Sequence, residues 1–147
     1  MSDGINWEKV LEMELRRHLG RREAIQNIRL KIDELKSDYG RMRAAQSDTS
    51  PVQGGGSSME DRLINNLVLQ DKLKIRLEDT FKRWNRIERA LKRLTVEQQK
   101  IIYGFYIDRP ENYRQILCEA LGIEQSELYR QKDQAMEILV LMLYGEE

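Results

Sequence analysis

The amino-acid sequence is poor in several residues on which folds and active sites depend. It contains one cysteine, one histidine and two prolines. A single cysteine excludes an internal disulfide bond, and it predicts a reducing, cytoplasmic environment. His18 and Cys118 alone supply too few ligands for a zinc site, and we expect both to be packing residues. No nucleophile or acid–base pair stands out, so the sequence predicts neither an enzyme nor a cofactor.

Long apolar runs are lacking as well. No run is long enough to span a bilayer and no segment resembles a signal peptide, so we expect no membrane partner. The scarcity of proline and of β-branched runs argues against a sheet. Hydrophobic residues make up 40% of the chain and charged residues 34%, as is typical of helices with many solvated faces. The predicted fold class is therefore all-α.

The N-terminal part, residues 1–45, has the heptad pattern of a helix that packs along a narrow stripe. Apolar residues recur three and four positions apart, at Ile25, Ile28, Ile32, Leu35, Tyr39 and Met42. The pattern predicts a long helix from Trp7, broken or frayed near Gly20. Extended backwards, the same stripe includes Leu11 and His18.

A second long helix is predicted over residues 60–94, after a flexible Ser/Gly/Pro linker over residues 46–59. The linker has three consecutive glycines but lacks the lysine of a phosphate-binding loop. The heptad positions of the second helix are Leu63, Leu67, Leu77, Phe81, Trp84, Leu91 and Leu94, with Gln70 and Lys74 interrupting them. The two helices would form a coiled-coil-like hairpin within one chain or pair between chains, and the sequence does not choose between these arrangements.

Residues 95–147 predict a small domain of short helices. Thr95 is a suitable N-cap, with Glu97 and Gln98 in the first turn. The first helix would direct Ile101, Ile102 and Phe105 inward and end before Pro110.

Two further helices follow, joined by a turn at Gly122. A helix over residues 113–121 is expected to bury Ile116, Leu117, Ala120 and Leu121. Gly122 supplies the left-handed conformation that reverses the chain. A third helix from about Glu124 would bury Leu128, Ala135, Ile138 and Leu139. A polar second helix after a short glycine turn is typical of a helix-turn-helix.

The quoted residues carry a resemblance to a known module. Residues 123–136, IEQSELYRQKDQAM, resemble the recognition helix of sigma factor region 4, and LTVEQQKIIYGFY and YRQILCEALG resemble its two preceding helices. The whole chain is similar to small phage activators of late transcription of the ArpU and RinA kind. The resemblance implies a protein of the bacterial host cytoplasm that binds promoter DNA and contacts host RNA polymerase.

The resemblance implies which residues would contact DNA. The base-proximal set would be Gln125, Ser126, Tyr129 and Arg130. Phosphate contacts would come from Arg114 and Lys132. The second long helix adds basic residues, among them Arg86, Arg89 and Arg93, that would strengthen binding to the backbone. The alternative in each case is an ordinary solvated helix face.

The charge distribution keeps other functions open. Residues 95–147 contain five basic and ten acidic residues, a net charge of −5, whereas residues 60–94 contain ten basic and six acidic residues, a net charge of +4. An acidic helix-turn-helix favours a module that binds RNA polymerase or a sigma factor instead of DNA. A second alternative is a DNA-packaging factor resembling a terminase small subunit. A homodimer is compatible with each function.

Overall fold

The computed structural model describes residues 4–48 and 56–145. Those residues contain no strand, and they form six α-helices and one short π-helix, which confirms the all-α class. The elements are α1 (Trp7–Arg16), α2 (His18–Asp48), α3 (Gly56–Lys92), α4 (Val96–Ile102), a π-helical turn (Tyr103–Ile107), α5 (Tyr113–Leu121) and α6 (Gln125–Tyr144).

The N-terminal helical part was predicted to break near Gly20, and it is interrupted three residues earlier. The interruption lies at Arg17, which caps α1, whereas Gly20 lies within α2. Both long helices also extend into the predicted linker, since α2 ends at Asp48 and α3 begins at Gly56. The rest of the predicted linker, residues 49–55, lies outside the described residues.

The chain divides into two compact units. The first combines the chain up to Arg22 with the chain from Arg83 onward, and the second is Glu23–Lys82. The N-terminal helix α1 therefore belongs to the same unit as the C-terminal helices. This association was not predicted from the sequence.

The first unit has a core built from both ends of the chain. Leu11 and Leu15 of α1 are fully buried and share a cluster with Ile102 and Leu139. Trp7 and Tyr144 stack, with their ring centroids 4.8 Å apart. These contacts attach α1 to α6, so α1 helps to position the helix that was predicted to read DNA.

His18 is part of the same unit and is a packing residue, as predicted. It is 1% exposed, and its ring stacks on Trp84 with centroids 5.8 Å apart. Its Nε2 atom lies 2.7 Å from Glu88 Oε2. The histidine therefore connects the first turn of α2 to α3 within this unit.

The second unit contains the predicted heptad stripe of α2. Ile25, Ile32 and Leu35 are buried there, as the spacing predicted. On α3 the prediction was partly wrong, because Leu67 and Phe81 are exposed whereas Asn66 and Gln70 are buried beside Leu63.

Asn66 and Gln70 form a buried amide pair. Asn66 Nδ2 donates to the backbone oxygen of Leu35 over 2.9 Å, and Gln70 Nε2 donates to Asn66 Oδ1 over 2.7 Å. Buried polar groups are tolerated when they are hydrogen-bonded, and such residues fix the register of paired helices. The pair thus specifies which residues of α2 and α3 meet within this unit.

Candidate nucleic-acid interface

The first helices of the C-terminal segment are fixed by local signals. Thr95 and Gln98 form a capping box, in which Gln98 N–H donates to Thr95 Oγ1 over 3.1 Å and Thr95 N–H donates to Gln98 Oε1 over 3.0 Å. A Cβ atom added at Gly104 would lie 2.8 Å from a methyl carbon of Leu117. The absence of a side chain at Gly104 therefore lets α5 approach the π-helical turn closely.

The turn between α5 and α6 has the predicted geometry. Gly122 adopts the left-handed conformation with φ 65°, and Ile123 N–H donates to the Cys118 backbone oxygen over 3.1 Å. Leu117 of α5 and Leu128 of α6 are buried in one cluster with Phe105. Two helices joined by this turn and held by a shared apolar core form the candidate interface.

Several residues predicted to be buried in these helices are exposed. Ile116 and Ala120 of α5 face solvent, and so does Ile138 of α6. Met136 and Val140 are buried in α6 instead. Adjacent apolar stripes occur on both helices, and only one stripe of each faces the core.

Tyr129 and Arg114 are brought together across the turn. Arg114 Nη1 donates to the Tyr129 hydroxyl oxygen over 3.1 Å, and this hydrogen bond lowers the pKa of the Tyr129 hydroxyl. The Tyr129 ring also packs edge-on against Phe105, with centroids 5.7 Å apart. Tyr129 is therefore half-buried and held in place, a geometry that suits positioning more than adaptable base contact.

Arg130 is exposed but it is occupied by an acidic neighbour. Its Nε atom donates to Glu127 Oε2 over 2.7 Å, one turn earlier on the same helix. The hydrogen bond from Arg130 is the main cause that lowers the pKa of the Glu127 carboxyl to about 2. For Arg130 to contact a guanine, it must first exchange this carboxylate for the base.

Gln125 and Ser126 lie at the solvent-exposed start of α6, where residues were predicted to face base edges. Gln125 also lines an open groove together with Tyr113, Arg114 and Cys118. The groove is therefore bordered by amide, aromatic and cationic groups and by the carboxylate of Glu111. The structure brings Gln125, Arg114 and Tyr129 into one neighbourhood.

Lys132 lies toward the protein instead of toward solvent. Its side chain is 15% exposed, and Nζ lies 2.6 Å from Asp133 Oδ1 and 5.8 Å from the ring centroids of Phe105 and Tyr129. This placement does not suit the predicted phosphate contact, because the ammonium group is already paired. Nothing in the spacing of the sequence distinguished this lysine from an outward one.

The basic residues of α3 are placed more favourably. Arg86 and Arg89 lie one turn apart on α3, Arg93 lies in the turn that directly follows the end of α3 at Lys92, and all three are exposed. We call these three residues the arginine stripe. Within the described residues none of them forms an ion pair, in contrast to Arg130 and Lys132.

One cation at the interface was missed by the sequence analysis. The Arg109 guanidinium lies 3.9 Å from the centroid of the Tyr113 ring, and Arg114 lies 5.4 Å from the same ring. The sequence predicted only that a helix ends at Arg109 before Pro110, and no spacing pattern indicated the stack on Tyr113.

Comparisons of the chain with protein-family models, with curated proteins and with solved structures gave no match. Among the described residues, no group of His, Cys, Asp and Glu side chains could hold a metal ion. No helix in the described part of the chain is both long and apolar enough to cross a membrane.

Proposed function

We propose that this protein is a sequence-specific double-stranded DNA-binding regulator of transcription. The observation that carries the proposal is the pairing of α5 and α6 about the left-handed Gly122, with Leu117 and Leu128 in a shared core. This pairing leaves Gln125, Ser126 and Arg130 exposed in the first turns of a 20-residue helix. Helix-turn-helix proteins read base edges in the major groove with residues at this position.

The two kinds of contact are divided between two helices. The start of α6 selects the sequence through hydrogen bonds to bases, in which Gln125 suits adenine and Arg130 suits guanine. The arginine stripe at the end of α3 and in the turn after it supplies the affinity for phosphate, which the acidic C-terminal segment lacks. Both helices contribute to the first compact unit.

The biological setting of the proposal comes from the resemblance to phage activators. On that basis the protein acts at a phage late promoter together with the host RNA polymerase. The polymerase contact is tested separately from DNA binding, by adding the purified protein to an in vitro transcription reaction with the host enzyme. Stimulation that depends on the promoter supports activation, and unchanged transcription despite DNA binding contradicts it.

The salt dependence of DNA affinity tests the role of the arginine stripe. Replacing its three arginines by alanine should weaken binding to all duplexes and reduce the slope of log K against log salt by about 2 to 3. A charge-matched control replaces Arg29, Lys31 and Lys36, which are exposed on α2. Equal losses in the two triple variants would mean that only net charge matters and that the stripe has no specific role.

A second candidate function is supported by the outer face of α6. This helix carries Glu127, Asp133 and Glu137; its two basic residues are neutralised, Arg130 by Glu127 and Lys132 by Asp133, and Glu137 forms no ion pair within the described residues. Such a face suits a basic protein surface, for example on RNA polymerase or a sigma factor. Measurable binding to purified polymerase without retention of any duplex would favour this function.

A further inference from the structure

Helix α3 carries a second apolar stripe that its own unit leaves exposed. Single exposed apolar residues are normal on a protein surface, but a regular series along one helix is not. Ile75 is 70% exposed and Ile64 is 57% exposed. The exposed apolar residues of this stripe within the second unit are Ile64, Leu67, Val68, Ile75 and Phe81.

Three of these apolar residues, Ile64, Leu67 and Phe81, belong to a heptad series on α3 whose central positions are charged, and Val68 and Ile75 flank that series. Positions three and four residues apart lie on one face of a helix. The series Ile64, Leu67, Asp71, Lys74, Glu78 and Phe81 has this spacing, and we call it the outer seam. The inner contact uses Leu63, Asn66 and Gln70, each of which directly precedes a residue of the outer seam, so the outer seam lies beside the inner contact, about 100° around α3.

Charges in the outer seam indicate the direction in which a copy of the same helix would pair. In the antiparallel direction, Asp71 lies opposite the partner's Lys74 and Ile64 lies opposite the partner's Phe81. In the parallel in-register direction, Asp71 would face Asp71 and Lys74 would face Lys74. Within the described residues neither Asp71 nor Lys74 forms an ion pair, so both are available for an intermolecular one.

We infer that the outer seam is a homodimer interface in which two copies of α3 pair in antiparallel fashion about Asp71 and Lys74. Two reciprocal ion pairs occupy the centre, and apolar layers of Ile64 with the partner's Phe81 close both ends. Val68 flanks the seam beside the partner's Ile75. The seam spans 18 residues, or about 27 Å of helix.

The remaining layer is compatible with this arrangement. Leu67 lies opposite the partner's Glu78, whose carboxylate is paired with Lys82 of its own helix over 3.2 Å. The Glu78 carboxylate thus stays at the solvent edge, and its methylene groups cover the leucine. Buried apolar area supplies the affinity, whereas the central charges select the antiparallel direction and the register.

Sedimentation equilibrium of the full chain tests the interface. The wild-type protein should form a dimer of about 35 kDa, twice the chain mass of 17.5 kDa. Asp71→Lys and Lys74→Asp should each raise the dissociation constant about tenfold or more, because each variant opposes like charges across the two-fold axis. An equimolar mixture of the two variants should recover the dimer. In the mixed dimer, a chain with lysine at positions 71 and 74 pairs with a chain that has aspartate at both positions.

The mixture separates an intermolecular ion pair from one within a single helix. Both variants change exposed side chains, and circular dichroism verifies that each stays helical. Arg76→Asp is the matched control, because Arg76 lies on the side of α3 away from the outer seam and its reversal should leave the dissociation constant unchanged. A wild-type protein that is still monomeric at about 100 μM would overturn the proposal. The proposal would also be overturned if the mixture of the two variants associated as weakly as each variant alone.

Discussion

The packing of α1 into the C-terminal core gives a prediction that one substitution can test. Leu15 is fully buried and shares its cluster with Leu91 and Leu139. Leu15→Ala removes three carbon atoms, which at about 0.8 kcal/mol each costs roughly 2.4 kcal/mol of transfer free energy. The cavity left behind raises the expected loss in the free energy of unfolding to about 3–4 kcal/mol.

Tryptophan fluorescence during urea unfolding is the appropriate assay. The chain has two tryptophans, Trp7 and Trp84, and both lie in the first unit. The signal therefore follows the unit that contains Leu15. We expect a lower urea midpoint with an unchanged slope, because the surface exposed on unfolding stays the same.

Met13 provides a control in the same helix. It is 52% exposed, so Met13→Ala should change the free energy of unfolding by less than about 0.5 kcal/mol. Both substitutions place alanine in α1 and alter helix propensity little. If Leu15→Ala and Met13→Ala have the same midpoint, α1 does not belong to the core and the reasoning fails.

Three further predictions concern local features of the structure. Gly104→Ala should lower the free energy of unfolding by about 1–3 kcal/mol, because the added Cβ would meet Leu117 of α5. Gly20→Ala is the control and should raise the free energy of unfolding by about 1 kcal/mol, because the space around Gly20 is open. Thermal unfolding measures both changes, and equal shifts would contradict the close approach at Gly104. Because the pKa of Glu127 is lowered from 4.5 to about 2, the contribution of its ion pair with Arg130 to stability is complete above pH 4.5 and is lost as the pH falls through about 2. Arg130→Ala should return the carboxyl midpoint toward 4.5 in an NMR titration, and an unmoved midpoint would rule out this pairing. Replacing both Asn66 and Gln70 by leucine should raise the thermal unfolding midpoint of the second unit. The same double substitution should broaden the backbone amide NMR signals of that unit, because the register of α2 and α3 is then less well specified. A lower midpoint would mean that the two amides stabilise the unit.

The sequence predicted best those features that local residues determine. The bounds of α5 follow from the residues beside them, and the left-handed turn at Gly122 follows from glycine's lack of a Cβ atom. The N-cap at Thr95 depends on hydrogen bonds between Thr95 and Gln98, which are only three residues apart. Such signals need no knowledge of the rest of the fold.

Features that depend on tertiary partners were predicted less well. Periodicity showed that Leu11 lies on an apolar face, but it did not show that this face packs against the C-terminal helices. Helical spacing predicted Ile116 and Ile138 to be buried, but both are exposed and their neighbours Leu117 and Leu139 are buried. Gln70 was predicted on the seam as a polar interruption, whereas the burial of Asn66 was not predicted, and hydrogen bonds satisfy both amides.

The same distinction applies to the candidate interface. The exposure of Gln125, Ser126 and Arg130 follows from helix position, which the sequence supplies. The inward placement of Lys132 depends on Phe105 and Asp133, and only the folded structure reveals it. The helix-turn-helix assignment and its DNA contacts therefore remain predictions, with Lys132 the least favourably placed of the proposed phosphate contacts.

The central claim is that the start of α6 reads a DNA sequence, and selection from a random duplex library tests it most directly. Duplexes retained by the wild-type protein in moderate salt and excess competitor are sequenced and compared with those retained by Arg130→Ala. The account predicts an enriched motif for the wild type, with affinity for it falling roughly ten- to a hundredfold in the variant while affinity for random DNA is unchanged. Retained duplexes without any shared motif, or the same motif bound equally well by the variant, would contradict base reading by α6.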